Sequence, residues 1–106
     1  IEPKFYMQLI MALGLDPKQI PGQYDKGRWP ELRQVFTDVF KGQTRDHWAA
    51  IFEDIDACVY PVLSLLEAPT HRHNEARGTF VEIDGVVQPA PAPRFDRTPT
   101  DTPMYY

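Results

Sequence analysis

The chain has 106 residues, a formal net charge of −4, and acidic and basic residues interspersed along its length. Such a length allows one small domain with a modest core rather than a large enclosed active site. No run of Lys and Arg could neutralise a series of phosphates, and no apolar stretch approaches the roughly 20 residues that cross a bilayer. We therefore expect a cytoplasmic protein that binds neither nucleic acid nor membranes.

The first predicted helix lies at the start of the chain. Pro3 suits a first helical turn, and apolar residues then recur at helical spacing until Gly14 can end the helix, so we expect it to span about residues 3–13. Met7 and Met11 add a second apolar stripe, which predicts that more than one side of this helix is covered. A chain that starts at Ile1 and enters a helix at once is expected to be a piece of a longer protein.

Two further amphipathic helices are predicted after a loop rich in Pro and Gly. The second helix begins near Trp29 and ends at Gly42, and Thr44 can cap the third. In the second helix the apolar residues recur at the i, i+3, i+4, i+7, i+8 spacing of one buried face: Leu32, Val35, Phe36, Val39 and Phe40.

The pattern changes after the third helix. Residues 57–60 favour a strand that is closed by Pro61, and the single cysteine, Cys58, is expected to be a buried thiol. Ser64 and Glu67 have the spacing of a capping box, which predicts a brief helix. A short strand needs neighbours, so we expect a mixed sheet completed by strands that precede this chain.

A β-hairpin is predicted near the end of the folded part. Residues 79–83 and 86–88 flank Asp84-Gly85, a dipeptide typical of a two-residue hairpin turn. Residues 89–106 contain five prolines and little apolar periodicity, so an extended connector is expected there. The sequence thus predicts an α+β fold, with a mainly helical small domain over residues 1–88, a short antiparallel hairpin and an extended Pro-rich tail.

Few side chains suggest chemistry by themselves. Glu2 precedes the first helix, where a carboxylate commonly matches the positive end of the helix dipole. His71 and His73 are two residues apart, but no third ligand has a recognisable spacing, so no metal site is predicted. His47 lies inside the third helix and is not assigned a catalytic role.

Three stretches of the chain together resemble one known family. They are Ile1-Glu2-Pro3-Lys4-Phe5-Tyr6, the block from Asp56 to Phe80 that begins Asp-Ala-Cys-Val-Tyr-Pro-Val, and the Pro-rich run from Gln88 to Phe95. The chain resembles the distal, C-terminal small domain of the alpha-methylacyl-CoA racemases, which belong to the class III CoA-transferase superfamily. The resemblance covers nearly the whole chain, and Tyr60 departs from it because smaller residues are common at that family position.

The resemblance implies an isomerase that inverts the 2-methyl stereocentre of 2-methylacyl-CoA thioesters through an enolate. Glu2 matches the family glutamate that supports the catalytic histidine of the other lobe, and Ile1 beside it is the candidate for acyl contact. The acid and base themselves are expected upstream, so the fragment alone is expected to be inactive. No cofactor is implied, since CoA is part of the substrate.

The resemblance also implies partners and alternatives. Family members are interlocked α/β homodimers, so the partners expected here are the acyl-CoA substrate, the rest of the enzyme and a second subunit. One alternative is a class III CoA-transferase that moves CoA between carboxylic acids through an aspartyl thioester. A non-catalytic helical interaction module with a Pro-rich tail is the other.

Overall fold

A computed structural model describes residues 1–102 of the chain, which divide into two compact units, Ile1–Val62 and a second unit that begins at Leu63. The first unit contains three helices: α1 (Pro3–Ala12), α2 (Trp29–Lys41) and α3 (Arg45–Phe52). The second contains one helix and one antiparallel hairpin: α4 (Arg72–Arg77), β1 (Phe80–Ile83) and β2 (Val86–Pro89). The predicted α+β class, mainly helical with a short hairpin, is confirmed. Within residues 1–102, none of the helices combines the length and the apolar character needed to cross a membrane.

Helix α1 ends in a motif that supplies hydrogen bonds to two of its last carbonyl groups. Gly14 adopts a left-handed conformation, with a φ of +69°. This turn lets the Leu15 N–H donate to the Ile10 carbonyl, and the Gly14 N–H donate to the Met11 carbonyl, both at 3.0 Å. These are the two bonds of a Schellman motif, for which glycine is favoured because it has no Cβ to clash. Gly14 therefore ends the helix as predicted.

The core of the first unit joins its first and third helices. Leu13, Phe52 and Ala57 are buried together. Beside them the rings of Phe40 and Trp48 pack edge to face with centroids 5.5 Å apart, and the Trp48 indole N–H donates to the Phe40 carbonyl at 2.9 Å. The contact thus satisfies the polar end of a partly buried tryptophan while its ring adds to the apolar core.

The start of α3 is fixed by a side-chain cap. Thr44 has extended backbone angles, and its hydroxyl oxygen accepts a hydrogen bond from the His47 N–H at 3.1 Å. This bond satisfies one of the N–H groups that every helix leaves unpaired at its beginning. The predicted cap is confirmed.

The strand predicted for residues 57–60 is wrong. These residues form no strand, and Cys58 adopts a left-handed conformation, with a φ of +56°, that β-strand geometry does not allow. Ala57 is buried in the core, whereas Cys58 is exposed, so the predicted buried thiol is wrong as well. A β-favouring composition expresses a preference for packing on a sheet surface, and the described sheet has only the two strands of the hairpin.

The capping box after this segment exists, but the helix behind it is shorter than predicted. The Ser64 N–H donates to the Glu67 carboxylate at 2.9 Å, and the Glu67 N–H donates to the Ser64 hydroxyl at 3.3 Å. Only one turn follows, and it continues as a 3-10 turn over Ala68–Thr70. Pro69, which cannot donate an i→i−4 hydrogen bond, explains why no α-helix forms.

The hairpin has the turn that its sequence predicts. Asp84 and Gly85 both have positive φ values, +51° and +79°, as a type I′ turn requires. The strands pair from Ile83 with Val86 outward, and β2 extends one residue beyond the prediction. The predicted hairpin is confirmed.

The described part of the Pro-rich tail, residues 90–102, contains no helix or strand. Gly78 ends α4 with a φ of +56°, and the Arg94 guanidinium donates to the Gly78 carbonyl at 2.8 Å. This bond ties the tail to the end of α4. Residues 103–106 of the predicted connector lie outside the described residues, and the predicted domain boundary after residue 88 stays a prediction.

The Thr44 cap yields a stability test. Replacing Thr44 with Ala should lower the free energy of unfolding by about 1 kcal/mol, because the His47 N–H loses its acceptor. Urea unfolding of this chain measures the change. Thr98→Ala, the same substitution at an exposed tail position, should stay within about 0.5 kcal/mol of the unmutated chain. Equal stability of the two variants would contradict the capping role.

Candidate functional site

Glu2 is the residue immediately before α1, and its backbone, not its side chain, caps the helix. The Glu2 carbonyl accepts hydrogen bonds from the N–H groups of Phe5 and Tyr6, each at 3.1 Å. Its carboxylate makes no capping bond and pairs with no group among residues 1–102. The side chain is exposed to solvent at the positive end of the helix dipole. The N-terminus of α1 therefore presents a carboxylate that the described residues leave unpaired.

The nearest cation in the sequence does not neutralise this carboxylate. The Lys4 ammonium lies 4.5 Å from the centroid of the Phe5 ring, in the geometry of a cation–π contact. Lys4 is therefore directed to an aromatic neighbour, which leaves the charge of Glu2 available to a group outside the described residues.

A second segment of the chain contacts the residue before Glu2. The side-chain amide of Gln23 donates to the Ile1 carbonyl at 2.7 Å, across 22 residues of sequence. The Gln23 carbonyl in turn accepts a hydrogen bond from the Trp29 indole N–H at 3.0 Å. The start of α2 and the start of α1 are thus connected through one glutamine.

The loop that carries Gln23 has contacts of its own. Pro21 is fully buried, and the Lys26 ammonium lies 5.9 Å from the centroid of the Trp29 ring. The Arg28 guanidinium contacts the Glu31 carboxylate at 2.7 Å, and this hydrogen bond lowers the pKa of the Glu31 carboxyl. The loop is therefore an ordered connection rather than a loose one.

Apolar side chains near the start of the chain are more exposed than a core requires. Ile1 is 61% exposed, and on α1 Met7 and Met11, which share one face at i and i+4 spacing, are 40% and 67% exposed. Both methionines are exposed among the described residues, which therefore do not confirm the prediction that more than one side of α1 is covered. Ile1, the predicted acyl contact, lies beside Glu2 with its side chain open to solvent.

Tyr6 adds a buried hydroxyl to the same helix. Its ring packs edge to face on Phe36 at 6.4 Å, and its hydroxyl has no hydrogen-bond partner among residues 1–102. Burial raises the pKa of the Tyr6 hydroxyl because the phenolate would lose more hydration than the phenol. Tyr6 is therefore neutral at physiological pH.

The three histidines lie in or next to α3 and α4. His47 contacts the Trp48 ring in α3, His71 precedes α4, and His73 lies within α4. In the part of the chain from residue 1 to 102, no group of three His, Cys, Asp or Glu side chains could hold a metal ion. Within the first unit, His47 makes no hydrogen bond or ion pair with Glu2.

A shallow apolar cleft of about 410 Å³ is formed in the first unit between the end of α2, α3 and the segment that follows Ala57. Phe40, Trp48 and Val59 contribute apolar walls, and Lys41 adds a positive charge. Tyr60, the departure from the family pattern, also lines this cleft and is 84% exposed. Neither Ile1 nor Glu2 lines it, so the cleft is separate from the surroundings of Glu2.

Sequence analysis did not predict Gln23 and Trp29 as contributors to the Glu2 region. Both were treated as parts of a loop and a helix start, and no local pattern links a loop amide to a carbonyl 22 residues away. The burial of Pro21, which shows that this loop folds back, is visible only in the structure.

Comparison with known proteins places the chain in a family. Residues 1–105 match the CoA-transferase family III, and the chain belongs to this family. The predicted membership of the class III CoA-transferase superfamily is thereby confirmed.

Relatives of the chain include two racemases and one further member of the family. The chain is 45% identical over 101 residues to the alpha-methylacyl-CoA racemase of Mus musculus and 44% identical over 100 residues to that of Homo sapiens, and each match covers 93% of this chain. A CaiB/baiF CoA-transferase family protein of Caenorhabditis elegans is 30% identical over 97 residues, which is 89% of this chain. In each case the chain spans 26% of the relative's length.

Proposed function

We propose that this chain is the C-terminal small-domain part of an alpha-methylacyl-CoA racemase. The complete enzyme is an isomerase that inverts the 2-methyl stereocentre of 2-methylacyl-CoA thioesters. The identity of 44–45% to two alpha-methylacyl-CoA racemases, over 93% of the chain, supports this proposal. CoA is part of the substrate, and no further cofactor is proposed.

In the proposed reaction one proton leaves C2 and another is returned to C2 from the opposite face. A base outside residues 1–106 removes the proton from C2, and the electron pair of that C–H bond moves into an enolate whose negative charge lies on the thioester oxygen. An acid on the opposite face then returns a proton to C2, which completes the inversion. A histidine and an aspartate hold these two roles, and His47, His71 and His73 take no part.

Glu2 supports the histidine in this proposal. A carboxylate that accepts a hydrogen bond from one imidazole nitrogen orients the ring and raises the basicity of the other nitrogen. The observation that carries this role is the unpaired Glu2 carboxylate at the start of α1, whose backbone is held on both sides. Ile1, exposed beside it, is proposed to contact the acyl chain.

CoA transfer between carboxylic acids is the second candidate function. The Caenorhabditis elegans relative, whose name refers to the CoA-transferase family, favours it. That reaction needs an aspartate that forms a thioester, and the aspartate is expected outside residues 1–106. Because the racemases match at higher identity, the racemase is the preferred proposal.

Exposed apolar side chains support assembly with the rest of the enzyme and with a second subunit. In the first unit Tyr60 and Val62 are 84% and 87% exposed, and in the second unit Leu65 and Leu66 are 92% and 90% exposed. Isolated exposed apolar residues are ordinary, but several within seven positions are typical of a surface that is covered by a partner. We propose that this segment is buried in an interlocked homodimer.

The role of Glu2 is tested by Glu2→Gln in the complete enzyme. We expect kcat for deuterium exchange at C2 of a 2-methylacyl-CoA to fall about 10- to 100-fold, because the neutral amide no longer raises the basicity of the histidine. Glu82→Gln, at an exposed position of β1, is the matched control and should keep the unmutated rate. A Glu2→Gln enzyme with unchanged kcat would refute the proposed role.

Residues 1–106 alone should not catalyse the reaction, because neither the acid nor the base of the proposed mechanism is among them. The measurement is C2 deuterium exchange by this chain, with the complete enzyme as the positive control and buffer as the blank. Exchange above the blank that disappears in Glu2→Gln would show that this chain holds a catalytic centre of its own.

The proposed assembly is tested by the double variant Leu65→Ser/Leu66→Ser. In this chain alone the free energy of unfolding should change by less than about 0.5 kcal/mol, since both side chains are exposed. In the complete enzyme the same change should shift the dimer towards monomer on size-exclusion chromatography. Leu32→Ser, at a buried position, should instead destabilise this chain by about 2 kcal/mol or more. A double variant that remains dimeric would contradict the burial of this segment.

A further inference from the structure

We infer that Gln23 is a positioning residue of the proposed reaction, because it fixes the direction in which the Glu2 side chain leaves the backbone. The inference rests on the proposed role of Glu2. It adds a residue that no family motif quoted above contains and that acts on Glu2 through the carbonyl of the preceding residue, Ile1.

The argument begins with the two peptide groups on either side of the Glu2 Cα. A peptide group is planar, so a hydrogen bond to its oxygen restrains the orientation of the whole plane. The plane before Glu2 ends in the Ile1 carbonyl, to which the Gln23 amide donates at 2.7 Å. The plane after Glu2 ends in its own carbonyl, which accepts two N–H bonds of the first helical turn at 3.1 Å. With both planes held, φ and ψ of Glu2 are set, and the Cα–Cβ bond points in one direction.

Gln23 is suited to this task because its own backbone is held. Its carbonyl accepts the Trp29 indole N–H at 3.0 Å, and Trp29 is the first residue of α2. Two positions before it, Pro21 is fully buried, and the Asp25 N–H donates to the Gly22 carbonyl at 3.1 Å to close a turn around Gln23. The amide is therefore presented from an ordered loop.

The hydrogen bond also opposes the ordinary behaviour of an acidic side chain at a helix start. Carboxylates there tend to accept hydrogen bonds from the free N–H groups of the first turn, and the dipole favours that position. The Glu2 carboxylate makes no such bond. Release of the Ile1–Glu2 peptide plane would let the carboxylate turn back towards the helix and away from the histidine it is proposed to support.

The test uses Gln23→Met in the complete enzyme, since methionine keeps the length of glutamine and removes the donor. We expect kcat for C2 deuterium exchange to fall about 10-fold. KM should stay within about twofold, because CoA binding does not use Glu2. Gln19→Met is the matched control, because Gln19 is exposed in the same connecting segment and its side chain makes no hydrogen bond within residues 1–102; its kcat should match that of the unmutated enzyme.

Two further measurements separate positioning from a general loss of stability. A misplaced Glu2 raises the pKa of the catalytic histidine less, so the acidic limb of the kcat profile should move to lower pH in Gln23→Met and at least as far in Glu2→Gln. In a double-mutant cycle, Gln23→Met should change kcat less than about twofold when Glu2 is already Gln. If Gln23→Met does not fold, Trp29→Phe removes the bond that holds the Gln23 carbonyl and should give a smaller loss of kcat in the same direction.

The outcomes are distinguishable. An unchanged kcat in Gln23→Met, with a reduced kcat in Glu2→Gln, would overturn this inference and leave the proposed function standing. A Gln23→Met loss of equal size in both backgrounds would show that Gln23 does not act through Glu2. An unchanged kcat in Glu2→Gln would overturn the proposed role of Glu2 and the inference with it.

Discussion

The packing of Leu13 against Phe52 and Ala57 is the contact on which the first unit depends. These three buried residues come from the end of α1, the end of α3 and the segment that follows it, so one small cluster determines where three parts of the chain meet. The Schellman motif at Gly14 lets the chain turn immediately after Leu13 and brings Leu15 to the same cluster. Because the far end of α1 is fixed in this way, the near end can present Glu2 at a defined place.

The core is small for the apolar content of the chain. Hydrophobic residues make up 42% of the sequence, yet within residues 1–102 the fully or nearly buried ones are few: Ile10, Leu13, Leu32, Phe52 and Ala57. Burial of apolar surface is the main favourable contribution to folding, so a chain that leaves Tyr60, Val62, Leu65 and Leu66 largely exposed has unused apolar surface. This fits the observation that the chain spans 26% of the length of its relatives. In the proposed assembly, the rest of the enzyme and a second subunit would cover this exposed segment.

The sequence predicted the features that depend on neighbours in the chain. Asp84-Gly85 specified the hairpin turn, and Thr44 specified a helix cap, because each acts through atoms within a few residues. The strand at residues 57–60 was predicted wrongly, since β-favouring residues form a strand only beside another strand. The Gln23–Ile1 hydrogen bond could not be predicted, because it depends on how the chain folds between two residues that are 22 positions apart. Glu2 was found through its motif, whereas its unpaired carboxylate is visible only in the structure.

The Gln23–Ile1 hydrogen bond also joins the two ends of a long chain segment into a closed loop. Joining the ends of a disordered chain of 22 residues has an entropic cost that grows with the logarithm of its length. Here most of that cost is borne by other interactions, because α1 is already helical and Pro21 is already anchored in the interior. The start of α1 and the loop before α2 should therefore open and close as one cooperative unit. If the proposed role of Glu2 holds, a substrate that binds beside it would rigidify a segment extending as far as Trp29.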